Sequence, residues 1–247
     1  MAALYRFGFI GAGAMAEAIV SGMLQQGLCE GKEILMSNRS PEKLQHMKET
    51  YGVSLAADNQ HVVEEAQYLI FAVKPQQFPT VCAQLQRKPE PWQTVVSIMA
   101  GVTLETLTEQ LGNVAIFRAM PNTPAKIGWG MTGVAANAVA SEEQKQVVLD
   151  IFHSVGQTIF IEEAYIDAVG AVSGSGPAYM YQILEALADG AVMAGLPRAM
   201  AYQLAGQTMA GSAMMMLETG QHPAVLKDAV TSPGGTTIRA LKVLEEK

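Results

Sequence analysis

The chain is poor in the residues that do most nucleophilic, metal and acid–base chemistry. Its 247 residues include two cysteines and four histidines. Cys29 and Cys82 stand far apart with no metal-ligand spacing, and read as reduced thiols of a cytoplasmic protein. No H-E-x-x-H, C-x-x-C or G-x-S-x-G occurs. His46, His61 and His153 fall on predicted surface helices, and His222 caps a short one. No lysine lies between Lys145 and Lys227. Oxidising an alcohol needs a base for the hydroxyl proton, and no obvious one is offered. Reducing an imine needs less, because an iminium nitrogen already holds its proton. Basic excess is also missing: the formal net charge is −7 and the pI about 5.1. That argues against a nucleic-acid or anionic-membrane surface. The one long uncharged stretch, Ala199 to Leu217, contains Gln203, Gln207, Thr208 and Ser212 and lacks a flanking basic cluster. It reads as a helix buried in protein, not as a membrane span. The apolar N-terminus is broken by Gly8, Gly11 and Gly13 and holds Arg6, which argues against a signal peptide.

Apolar residues make up 49% of the chain, enough for a sizeable core. The stretch that organises the rest is F-G-F-I-G-A-G-A-M-A, Phe7 to Ala16. An apolar strand, Tyr5 to Ile10, stops at Gly11. Gly11, Gly13 and Ala16 then fit G-x-G-x-x-G/A, the opening of a dinucleotide-binding βαβ unit. Gly11 allows a turn that a Cβ would block, and Gly13 lets backbone approach a pyrophosphate. Ala16 lets the next helix lie close on the strand, with its N-terminal N–H groups aimed at the phosphates. Taken alone the motif also fits a glycine-rich turn between core elements.

Alternation continues through the first half. A helix runs from Ala14 to Gln26 with Gly27 near its end, and a strand from Glu33 to Ser37. Ser40 and Pro41 read as N-cap and first residue of the next helix. Strands are predicted at Val53–Ala56, Tyr68–Val73, Thr94–Ile98, Val114–Ala119, Met131–Ala135 and Thr158–Ile161, with helices at Thr103–Leu111 and Ser141–Ser154. The pattern predicts an α/β fold, a Rossmann-type doubly wound parallel sheet over residues 1–161. Residues 162–247 are predicted all-helical, over Ala164–Val172, Gly176–Ala194, Arg198–Glu218, Pro223–Val230 and Thr236–Glu246. From Ala178 to Leu217 the only charges are Glu185, Asp189 and Arg198. Helices with so little polar face are covered on all sides, and a piece this small cannot cover them itself. The expected cover is a second copy, making an obligate homodimer.

Four further stretches carry chemistry. The second strand ends Ser37-Asn38-Arg39-Ser40, with an arginine and hydroxyls where NAD-selective folds place a carboxylate. That favours a 2′-phosphate, hence NADP(H), with NAD(H) as the alternative. Lys74 follows the fourth strand, where ligands bind in open α/β sheets; a plain surface lysine fits the position equally. Met120-Pro121-Asn122-Thr123-Pro124 is a stiffened loop presenting an amide that suits a carboxamide or small substrate; a structural turn fits it too. Thr231-Ser232-Pro233-Gly234-Gly235-Thr236-Thr237 has the form of an anion nest before the last helix, and also of an ordinary capped turn.

Taken together, these residues resemble the pyrroline-5-carboxylate reductase family over nearly the whole chain. The matching blocks are F-I-G-A-G-A-M-A at 9–16, S-N-R-S at 37–40, A-V-K-P at 72–75, M-P-N-T-P at 120–124 and S-G-S-G-P-A-Y at 173–179. The most specific is L-K-D-A-V-T-S-P-G-G-T-T-I-R-A-L at 226–241. The resemblance implies reduction of 1-pyrroline-5-carboxylate to L-proline with NADPH or NADH, the last step of proline synthesis. It implies a Rossmann domain followed by a helical domain interleaved in a dimer, with larger rings of dimers in the family. Carried over, the cofactor falls on Ile10, Gly11, Gly13, Ala14 and Met15, on Asn38, Arg39 and Ser40, on Val73 and Lys74, and on Asn122. Substrate falls on Met120, Asn122, Gly234, Gly235, Thr236 and Thr237. The nest, from the partner subunit, would hold the carboxylate through backbone N–H groups. Thr237 would reach the ring nitrogen as partner and proton relay, the one catalytic side chain. The family usually carries another helix after the one ending near Glu246, whereas this chain stops at Lys247, a departure bearing on higher assembly more than on chemistry.

Two rivals share parts of the pattern. β-Hydroxyacid-type dehydrogenases join a Rossmann domain to helices but use a helix-borne lysine, which the lysine-free stretch from Gln146 to Leu226 denies. A redox-sensing module that holds NADP(H) without turnover has no need of the second anion nest.

Overall fold

The computed structural model describes residues 4–246. Its eight strands form one sheet in the order β3-β2-β1-β4-β5-β6-β7-β8. They are β1 (Tyr5–Ile10), β2 (Ile34–Ser37), β3 (Ser54–Leu55), β4 (Ala66–Phe71), β5 (Thr94–Ser97), β6 (Ala115–Met120), β7 (Gly130–Ala136) and β8 (Gly156–Phe160). The first six are parallel and reverse order between β1 and β4, the topological switch point of a dinucleotide-binding fold.

The last two strands depart from the predicted all-parallel sheet. β7 runs antiparallel to β6, pairing Met120 with Gly133, and β8 follows β7 in parallel. The link from Met120 to Gly130 is the reason. It holds only a 3-10 turn, Thr123–Ile127, whereas a parallel return needs a crossover of a dozen or more residues.

Strand alternation divides the core between the two sheet faces. Phe7, Phe9, Tyr68, Ile70 and Phe117 face α1 (Ala14–Gln25), α2 (Pro41–Tyr51) and α6 (Glu142–His153). Ile10, Leu69, Phe71 and Ile116 face α3 (Asn59–Glu65), α4 (Phe78–Gln84), α5 (Leu104–Leu111) and α7 (Ile166–Val169). Such strands are apolar on both faces, as a covered parallel sheet requires. The helix α4 lies outside the elements read from the sequence, and α3 entered there only as the surface helix that holds His61. Residues predicted as one helix over Ala164–Val172 form instead a 3-10 turn (Glu163–Tyr165), the single turn α7 and a π turn (Gly170–Gly174).

The compact units divide after Pro177, beyond the composition change near Ile161, so residues 162–177 pack with the sheet. The second unit holds the rest of α8 (Gly176–Met193), then α9 (Arg198–Thr219), α10 (Pro223–Ala229) and α11 (Thr236–Glu245). The helix α9 ends on Gly220 at φ +64°, the left-handed C-cap that glycine supplies without strain. Lys227 on α10 pairs with Glu245 on α11 at 2.8 Å. Among the described residues, no helix is long and apolar enough to cross a membrane.

Candidate active site

The glycine turn is built as its sequence demands. Gly11 sits at φ +111°, and a Cβ there would lie 2.6 Å from the Ala72 carbonyl oxygen, so no other residue fits. Its N–H donates to Ser37 O at 2.8 Å, and Ala12 N–H donates to Asn38 Oδ1 at 3.2 Å. Ala72 N–H in turn donates to Ile10 O at 2.9 Å. The turn is thereby stitched to the ends of β2 and β4. Ile10 itself is buried in the core and brings no side chain to a ligand. Gly13 is different: its φ of −83° suits any residue, but the space where a Cβ would stand is open. It is the N-cap of α1, makes no side-chain cap, and leaves the first-turn amides of Ala14 and Met15 without helical acceptors. Buried Ala16 seats the helix on the sheet. This is a cradle for a diphosphate, with clearance, N–H donors and the positive end of a helix dipole.

Beside it lies a cavity of about 280 Å³ lined by the glycines and by three cations, Arg39, Lys43 and Lys74, with no acid. Asn38 shapes its rim, its Nδ2 donating to Ser40 O at 3.2 Å. Ser40 holds the N-cap position of α2, but its side chain makes no cap bond. A larger cavity of about 600 Å³ shares Arg39, Val73 and Gln77 with the first and extends over Ala57 and Asn59. Its one acid, Asp58, is the N-cap of α3, accepting from His61 N–H at 2.8 Å. The two cavities together offer space of the size small-molecule sites have. The stretch Ala56 to Gln60 was missed from sequence. The cue was Asp58, an N-cap residue placed just before an apolar period.

The loop after β6 holds a different arrangement from the one expected. Asn122 is buried; its Nδ2 donates to Ser173 O at 3.0 Å and its Oδ1 accepts from Met131 N–H at 2.9 Å. The amide predicted to meet cofactor and substrate is thus engaged within the fold at both ends. Met120 packs its methyl against Gly170 and Gly174. Arg118, two residues earlier, was also missed; a charge inside an apolar strand was the available cue. Its guanidinium is buried, with Nη1 3.2 Å from Glu163 and Nη2 2.9 Å from Asp167.

In the second unit, Ser232 to Gly235 form a tight turn with Pro233 second and Gly234 third, at φ +71°. Proline then a positive-φ glycine is what a type II turn requires. Gly235 N–H donates to Ser232 O at 3.0 Å, closing the turn. That removes one of the three amides expected to hold a carboxylate. The donors that remain open at the start of α11 are those of Thr236 and Thr237, since Gly235 is an N-cap without a side-chain bond. Thr237 is half-buried.

A glycine cradle at the switch point with cations at the end of β2 defines a Rossmann-class dinucleotide-binding protein. Comparison with known proteins sharpens this. Residues 163–247 match the family model described as pyrroline-5-carboxylate reductase dimerisation. Residues 6–101 match the one described as NADP oxidoreductase coenzyme F420-dependent. A pyrroline-5-carboxylate reductase of Escherichia coli (strain K12) is 45% identical over 98% of this chain and 90% of its own length. The solved structure of a pyrroline-5-carboxylate reductase from Coxiella burnetii superposes with a TM-score of 0.90 at 40% identity, covering 98% of this chain and 91% of that one. A Plasmodium falciparum pyrroline carboxylate reductase with NADP bound gives 0.86 at 30% identity, covering 98% and 90%. The chain belongs to the pyrroline-5-carboxylate reductase family.

Proposed function

We propose that this chain reduces 1-pyrroline-5-carboxylate to L-proline with NADPH, NADH serving as the weaker donor. One observation carries the reading beyond family membership. A single chain holds a glycine cradle ringed by Arg39, Lys43 and Lys74 and also a separate turn-and-helix anion nest at Ser232 to Thr237. The first suits a dinucleotide with an extra phosphate, the second a small carboxylate. The bound nicotinamide supplies the hydride. The chain's own groups do the rest. Gly13 and the first-turn amides of α1, at Ala14 and Met15, hold the diphosphate. Arg39 holds the 2′-phosphate, with Ser40, Val73 and Lys74 along the same cavity. The amides of Thr236 and Thr237 hold the substrate carboxylate, with Gly234 allowing the turn. The Thr237 hydroxyl meets the ring nitrogen as hydrogen-bond partner and relays to it a proton drawn from solvent. Met120 and Asn122 contribute by fixing the loop after β6, not by offering a free side chain.

The working particle is a homodimer built through the helical unit, with a ring of such dimers as the larger assembly, in the cytoplasm. In one copy, the buried side chains of that unit are Ala188, Ala201 and Ala205, among the described residues. Leu187, Leu204 and Leu217 are more than half exposed. Light scattering at low micromolar concentration should find no stable folded monomer. The reaction is tested by NADPH oxidation with pyrroline-5-carboxylate, beside NADP reduction with a 3-hydroxy acid. Turnover with the hydroxy acid and none with the imine would sink the assignment.

A further inference from the structure

Arg118 stands where the fold disfavours it. β6 lies between β5 and β7 and is otherwise apolar, and a charge there is desolvated on both faces. The side chain is 5% exposed, and its Nε has no hydrogen-bond partner. A buried ion pair of this kind is often matched or bettered in stability by an apolar side chain of similar volume. Stability alone therefore gives no reason for an arginine.

What the guanidinium does is join three pieces of chain. Glu163, held by Nη1, also accepts the N–H of Leu104 at 2.7 Å through the same Oε1. Leu104 starts α5 and ends the loop that leaves β5. Asp167, held by Nη2, lies on α7. Side chains in extended chain repeat every two residues, and Asn122 is still extended at φ −126°, ψ 168°. Arg118, Met120 and Asn122 therefore share one face, and all three grip the same segment. Arg118 holds its start through Glu163 and Asp167. Met120 lies so close to Gly170 and Gly174 that a Cβ at either would come within 3.3 Å of its methyl. Asn122 takes the carbonyl of Ser173. The gripped segment includes the π turn Gly170–Gly174, closed by Ser175 N–H donating to Gly170 O at 2.9 Å, a rare conformation often found at functional sites. The loops so tied leave the carboxyl ends of β5 and β6, on the opposite side of the switch point from Arg39. In this strand order the second half of a dinucleotide lies there.

We propose that Arg118 is a positioning residue for hydride transfer. Through Glu163 and Asp167 it sets the loops after β5 and β6 that flank the nicotinamide end, while cofactor affinity is set elsewhere, at the glycine cradle and Arg39. The inference rests on the proposed reductase activity, but one arm of its test does not.

The experiment uses the full chain with Glu163→Gln, Asp167→Asn and Arg118→Met. Glu163 and Asp167 are 30% and 86% exposed at the side chain, so their neutral variants fold even where Arg118→Met does not. Small misplacements remote from the chemistry cost up to about 100-fold in rate, so Glu163→Gln should lower kcat about 10-fold and Arg118→Met up to about 100-fold. NADPH affinity, read by fluorescence titration, should stay within about twofold. Hydrogen exchange without cofactor or substrate should show the Leu104 amide and residues 170–175 opening faster in Glu163→Gln, with the glycine turn unchanged. Unchanged exchange and kcat in Glu163→Gln, or NADPH affinity falling in step with kcat, overturns the proposal. Should the parent chain fail to reduce the imine, the reductase reading falls and the exchange arm still decides whether Arg118 positions these loops.

Discussion

The two compact units solve the same problem in opposite ways. The sheet unit buries Phe7, Phe9, Phe71, Phe117 and Phe152 completely, from a single copy of the chain. The helical unit buries three alanines and leaves Tyr181, Ile183, Leu187, Leu204 and Leu217 about half exposed or more, among the described residues. Yet from Ala178 to Leu217 its only charges are Glu185, Asp189 and Arg198, so solvent is not the intended neighbour of those faces. Helices in proteins gain most of their stability from packing an apolar face. The comparison teaches that the folding unit of the first half is the chain, and that of the second half is the assembly.

Cutting the chain between the units should have the largest effect. A chain ending at Pro177 should unfold cooperatively, bind NADPH as the full chain does, and show no turnover at all. The helical remainder from Ala178 should be helical only while assembled and lose its helical circular dichroism as dilution drives it to monomer. A remainder that is folded and monomeric by light scattering would break the comparison outright.

Within the full chain, Thr237→Ala should come next. NADPH affinity should hold, because the cradle at Gly13 and Arg39 lies in the other unit. A hydrogen bond used mainly in the transition state implies a fall in kcat of about 10- to 1000-fold. Loss of NADPH affinity equal to the loss of rate would mean that Thr237 acts on the fold and not on the ring nitrogen.

The units also differed in how far they could be read from sequence. The glycine turn was legible because its constraint is local: Gly11 needs a positive φ, and Gly13 needs clearance. The boundaries of α8, α9 and α11 were legible because glycine and proline punctuate them. The reversal at β7 was not read, although the short link after Met120 would have implied it. The partners of Arg118 and Asn122 were beyond sequence reasoning. Their ligands, Glu163, Asp167 and Ser173, lie more than forty residues away along the chain, and nothing local announces the pairing. The cap that Asp58 places on α3 was by contrast local, three residues from His61, and could have been read.

A smaller change separates cofactor choice from fold. A charge-assisted bond to the 2′-phosphate contributes about 1.5–3 kcal/mol, so Arg39→Ala should weaken NADPH about 10- to 100-fold. NADH binding should be nearly unchanged, since Arg39 is exposed and makes no ion pair among the described residues. Isothermal titration with both cofactors decides it: equal losses would show that the arginine supports the fold.

The cysteines provide the finest reading of the comparison, because both lie in the sheet unit. Burial pushes the thiols of Cys29 and Cys82 up to about 11. With thiolate as the reactive form, about one thiol in a thousand would be reactive at pH 8 even if reagent could reach it. Labelling with iodoacetamide therefore reports opening of the sheet unit and nothing of the helical one. Diluting the protein below its assembly concentration should reduce helical circular dichroism while labelling of both thiols stays slow. Mild denaturant should later speed labelling in a second, separate transition. If dilution alone accelerates labelling in step with the loss of helix, the sheet unit depends on the assembly as much as the helices do.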